Sequence, residues 1–224
     1  MKRLFLYVLL SGSIVVLMAL LSPLQAQFLS AGNFSSLQQE KLKEIAWMIW
    51  NKKPENQILK VWETFVEIEK RTKPDFNDAI KIIFGEVKII ADKNVQLAQE
   101  KIRQAQILNL EIEREMGNIR NLRFQYERSK SFKSVKRKKL EFSKENPPKA
   151  IIQEAGYISD IKELVEYEGY LQWGGKEASL QGTGGVALLE YAKDAIQNAI
   201  SNISGVGTLA MQMRKIVERK LGSS

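Results

Sequence analysis

Glu163, Glu166 and Glu168 stand beside Tyr167, Tyr170 and Trp173, the best local grouping of acids and aromatic rings in the chain. Paired carboxylates with rings nearby are what a sugar-cleaving cleft requires, one acid to protonate the leaving oxygen and one to act as base or nucleophile. At this spacing on an amphipathic helix, however, glutamates ordinarily form the solvated face, and a carboxylate-only hydrolase is the minor reading. Other chemistry is excluded by composition. The 224 residues contain no histidine and no cysteine, so imidazole bases and ligands, thiolate metal sites, cysteine nucleophiles and disulfides are all absent. The run Gly182-Thr183-Gly184-Gly185 suggests a phosphate loop, but Lys176 lacks the following Ser or Thr of a Walker motif and no buried strand precedes it. It reads as a flexible connector. No catalytic, cofactor-binding or metal-binding residue is therefore expected, and the chain is expected not to be an enzyme.

The strongest remaining chemical signal is charge. The formal net charge is +8, and between positions 120 and 149 eleven basic residues face only Glu127, Glu141 and Glu145. Arg128, Lys130, Lys133, Lys136, Arg137, Lys138 and Lys139 form an expected patch for an acidic partner or another anionic surface, with Phe132, Val135, Leu140 and Phe142 interleaved. Anionic lipid or polymer contact fits this patch. Nothing in it reads bases, so sequence-specific nucleic-acid binding is not expected. The segment reads as a helix and turn, with disorder as the alternative.

The elements that would carry these residues read as helices. Met1, Lys2 and Arg3, an uncharged stretch over 4–21, Pro23 and the small Ala26 have the parts of a secretory signal at 1–26, with an uncleaved membrane anchor as the alternative. Over 27–73 a helical hairpin is expected: Ser35 and Ser36 precede Gln38 and Gln39 at capping-box spacing, and Pro54 opens the second helix. Trp47, Trp50, Trp62 and Phe65 are its expected core. Asp75 caps a long central helix, and the 74–145 region ends in the basic segment.

Within that helix Ala91, Val95, Ala98, Ile102, Ala105, Asn109, Ile112, Met116 and Ile119 recur in four-three alternation, a coiled-coil seam. Such a stripe needs a covering helix, either an antiparallel one from the same chain or a second copy. A buried Asn109 would fix its register if it found a partner amide. The remainder, 146–224, reads as a helical region: an amphipathic helix over 151–170, the glycine-rich loop, and helices near 186–201 and 206–221. The fold class is all-α, an elongated helical bundle with one long central helix.

An exported, cysteine-free chain with paired N-terminal helices, a long central seam and a glycine-bearing C-terminal part resembles the helical minor-pilin and pilus-tip subunits of type IV secretion and conjugal transfer systems. The resemblance is one of layout, and it carries no residue roles across. It implies a structural or adaptor subunit, periplasmic or extracellular after signal cleavage, that binds other envelope or secretion-apparatus proteins and could self-associate as a homo-oligomer. A periplasmic holdase chaperone and an anionic-surface binder are the alternatives.

Overall fold

The computed structural model describes residues 34–69, 75–203 and 207–222. The expected signal at 1–26 and the punctuation at 72–74 lie outside the described residues. The described elements are α1 (Ser36–Trp50), α2 (Glu55–Glu69), α3 (Phe76–Ser129), β1 (Val135–Ser143), β2 (Lys149–Ile158), α4 (Ile161–Ile203) and α5 (Thr208–Gly222). The chain is mostly helical, as expected, and the described residues also form one antiparallel two-stranded sheet, which is not expected. It divides into two compact units, one containing residues up to Ile90 and from Ala195, the other Ala91–Asp194.

In the first unit the expected helix starts are realised. Ser35 and Gln38 form a reciprocal capping box at the head of α1. Asp75 Oδ1 accepts from the backbone N–H groups of Asn77 (2.9 Å) and Asp78 (3.3 Å) at the head of α3. Trp62 is the centre of the core: it is fully buried, stacks on Phe65, meets Phe76 edge-on and donates its indole N–H to the Met213 carbonyl of α5 at 3.0 Å. That bond satisfies the one polar atom the ring carries into the interior. Trp47 departs from expectation. It is 53% exposed, on the outer side of α1, with the Lys53 ammonium 5.8 Å from its ring centroid.

In the second unit, α3 is covered by α4. Ile112 lies against Gly174 and Gly175, Ala105 against Gly182, and Ile102 with the Ala98 carbonyl against Gly185. Rising positions on α4 meet falling positions on α3, so the pair is antiparallel. The glycine-rich run is therefore not a loop: it lies inside α4. Glycine disfavours a helix by about 1 kcal/mol per residue relative to alanine, yet here the missing side chains let two backbones approach. A Cβ on Gly185 would stand 2.9 Å from Ile102 Cγ1 and 3.1 Å from the Ala98 oxygen. The seam is consequently satisfied within the chain. Asn109 is only half-buried and its amide makes no hydrogen bond among the described residues, so it does not fix the register.

The basic segment is the second correction. In place of a helix and turn, β1 pairs with β2, whose residues 151–158 fall where the helix over 151–170 is expected to begin. The two-residue alternation of Lys138, Leu140 and Phe142 turns these side chains to one face. Register holds from Ser143↔Lys149 to Lys138↔Glu154 and then shifts before Lys136↔Tyr157. One residue of β1 there opposes two of β2. Gly156, one of those two, sits at φ +96°, a backbone conformation that favours glycine.

Candidate docking surface

The hairpin is held on α3 and α4 by side chains that satisfy its unpaired edges. On the edge of β1 away from β2, Tyr167 Oη accepts from the Lys138 N–H at 3.0 Å. Tyr170 Oη accepts from the Leu140 N–H at 2.9 Å and donates to the Leu140 carbonyl at 3.1 Å. On β2, Gln104 of α3 accepts the Ala150 N–H on its Oε1 at 2.7 Å while its Nε2 donates to Glu100. Glu100 also binds Arg103, and these two hydrogen bonds, the Arg103 contact first, lower its carboxyl to about pKa 2. Exposed strand edges recruit other chains unless covered; the two tyrosines cap the middle of the β1 edge, and Gln104 caps one N–H of the β2 edge.

A half-buried ion cluster fixes the hairpin face. The Lys138 ammonium lies between Glu111, in direct contact, and Glu115, at 2.9 Å. Burial alone would lower the Lys138 pKa, but the hydrogen bonds and charges of the two glutamates outweigh it and the net shift is upward. Burial also raises Tyr167, against the opposing effect of the hydrogen bond from the Lys138 backbone.

These contacts redistribute the expected basic patch. Lys138 is spent inside the molecule, Lys136 pairs with Glu154 at 2.9 Å, and Lys139 pairs with Glu141 at 2.6 Å. Arg128, Lys130, Lys133 and Arg137 remain exposed with no ion pair among the described residues. The expected seam is likewise no open partner surface. Ala91, Val95, Ala98, Ala105, Ile112 and Ile119 are buried, and Ile102 and Met116 are half-buried. Of the acidic grouping, Glu163 contacts the Ser159 N–H at the head of α4 and Glu168 binds Arg123 at 2.9 Å. Glu166 is exposed and makes no ion pair or hydrogen bond among the described residues. The three acids do not converge on a cleft.

The aromatic side of that grouping does reach one. Tyr167, Tyr170 and Trp173 follow each other along α4 with centroid separations of 6.1 and 6.3 Å. Tyr170 and Trp173 line an open cleft of about 650 Å³ whose other walls are Leu108, Leu140, Phe142 and Ile151, rimmed by Lys139, Glu141, Lys144, Glu177 and Gln181. Trp173 is 56% exposed there. A smaller pocket of about 300 Å³ opens at the far end of the hairpin between Glu115, Asn118, Lys136 and Tyr167. Among the described residues no acidic group is arranged to hold a metal ion, and no helix is long and apolar enough to cross a membrane. The chain matches no protein-family model, no curated protein and no solved structure.

The sequence offered two signals for this surface. Lys138, Leu140 and Phe142 alternate as strand residues do, and Leu164, Tyr167, Leu171, Gly174, Ala178 and Gly185 keep helical seam spacing. Both were masked, the first by dense charge and the second by glycine.

Proposed function

We propose that this chain acts without catalysis, as a structural or adaptor subunit of an exported bacterial envelope assembly of the type IV secretion or conjugation kind that its layout resembles. The observation that carries the reading is the cleft beside Trp173, where a half-exposed indole adjoins Tyr170, Phe142 and Ile151 behind a charged rim. A tryptophan in an apolar pocket with a polar margin is the composition of a protein-binding hot spot. The seam buries itself within the chain, so assembly proceeds through this cleft and not through a coiled coil with another copy. The segment 1–26 directs export, and the mature chain works in the periplasm or outside the cell.

Purification of the tagged protein from its native envelope tests this. A stoichiometric envelope partner that is lost in Trp173→Ala supports the subunit role. Many unrelated unfolded clients, retained by the variant, would replace it with a holdase role. Neither partner nor client would refute both.

A further inference from the structure

The C-terminal end of α3 and the start of β1 carry a second group of exposed basic and aromatic residues, none of which lines the Trp173 cleft. Arg120, Phe124 and Arg128 recur every four residues on the last turns of α3, and all three are exposed. The Arg128 guanidinium lies 4.5 Å from the Phe124 ring centroid, and the Lys130 ammonium lies 5.8 Å from that of Tyr126. Lys130, at φ 52°, stops the helix, and the chain continues through the exposed Lys133 and Arg137. Tyr157, 65% exposed, stands opposite Lys136 across the hairpin. Glu127 is the one acid over 120–137; Glu154 and Glu168 are paired with Lys136 and Arg123, and the head of α4 adds the exposed Asp160, Glu163 and Glu166 with Lys162. The α3 terminus adds its own orphan carbonyls, which favour cations at this end but offer an anion nothing.

We propose that this basic-aromatic end of the second unit is a contact surface for anionic lipid bilayers. Cations near a bilayer are drawn to acidic headgroups within a screening length. Aromatic rings settle at headgroup depth with their polar neighbours turned to the phosphates. Phe124 under Arg128 and Tyr126 under Lys130 are such pairs, a charged head above an apolar body. Nucleic acid suits them less well. A base stacking on the covered face of Phe124 would displace Arg128, the charge that attracts its phosphate, whereas a bilayer engages ring and cation together. The inference does not rest on the subunit role, because the residues concerned are not those of the Trp173 cleft.

Co-sedimentation of the full chain with phosphatidylcholine vesicles, with and without phosphatidylglycerol, provides the test. The parent should partition into the phosphatidylglycerol vesicles and lose this preference in high salt. Joint replacement R128E, K133E and R137E should cut that partition by about tenfold or more, following the modest attraction each basic residue contributes. Phe124→Ser should reduce it while leaving the circular dichroism spectrum unchanged. Lys149→Glu, at the turn end of β2, should keep it within about twofold, which separates a local surface from net charge. Equal binding to both vesicle types would overturn the proposal, as would equal loss in the Lys149→Glu protein. Displacement of the protein from vesicles by a single-stranded oligonucleotide of matched phosphate count would overturn it in favour of nucleic acid. Should the triple variant fail to fold, Arg137→Gln and Lys133→Gln singly must each still weaken the partition.

Discussion

The Tyr170 hydroxyl serves both backbone groups of Leu140, accepting the N–H at 2.9 Å and donating to the carbonyl at 3.1 Å. One side chain of α4 thus replaces the strand that would otherwise complete the edge of β1. Tyr170→Phe keeps the ring and removes both bonds. The variant should lose about 1–3 kcal/mol of unfolding free energy, and amide exchange at Leu140 should rise more than at Ile112, which lies outside the hairpin.

The glycines of α4 should behave in opposite ways according to what faces them. At Gly184 nothing lies within 4 Å of an added Cβ, so Gly184→Ala should stabilise the protein by about 0.5–1 kcal/mol. At Gly185 the added methyl meets Ile102 and the Ala98 carbonyl, and Gly185→Ala should cost about 1–3 kcal/mol. Urea denaturation of the two variants reads the contrast directly; a gain at both positions would contradict the close helix approach.

This contrast explains what was legible in the sequence. The α3 seam was plain because its positions are filled by Ile, Val and Ala. Its cover was not, because Gly174, Gly182 and Gly185 look locally like a flexible loop and become helical only through packing against residues at 98–112. Tertiary contact overrides the weak propensity. The hairpin was hidden for a similar reason. Five basic residues over 133–139, with Lys144 beyond them, suggest a solvated segment, whereas in the structure Lys138 turns inward to Glu111 and Glu115 on α3. In the sequence Tyr167, Tyr170 and Trp173 stand out only as neighbours of Glu163, Glu166 and Glu168, acids that read mainly as a solvated helix face; the cleft on the aromatic side needs the hairpin to form its other wall.

Titration should loosen the hairpin at two extremes, by deprotonation of Lys138 at high pH and protonation of Glu100 at low pH. Lys138 has a folded pKa raised above 10.5, so its contribution is complete below pH 10.5 and is lost as pH rises through the higher folded value. Glu100, depressed to about 2 from 4.5, contributes fully above pH 4.5 and loses that contribution as pH falls toward about 2. NMR titration should show the Ala150 amide shifting with the acid step, since Glu100 orients the Gln104 side chain that binds it, and Gln104→Leu should abolish that shift.

Trp62 offers a check on the first unit. Trp62→Phe retains a ring beside Phe65 and Phe76 but leaves the Met213 carbonyl without the indole donor. A loss of about 1–3 kcal/mol is expected, whereas Trp47→Phe, on the exposed side of α1, should change stability by less than about 0.5 kcal/mol.

The pairing of α3 with α4 of the same chain is tested most directly by a disulfide. The chain has no cysteine of its own, and a Cβ at position 182 stands 3.5 Å from the Ala105 Cβ, within the span a disulfide bridges. The double variant Ala105→Cys and Gly182→Cys, oxidised under dilute conditions and resolved by non-reducing mass spectrometry of its peptides, should form an intrachain cross-link in a single-copy species. Cross-links found only between copies, or none in a folded protein, would contradict the account.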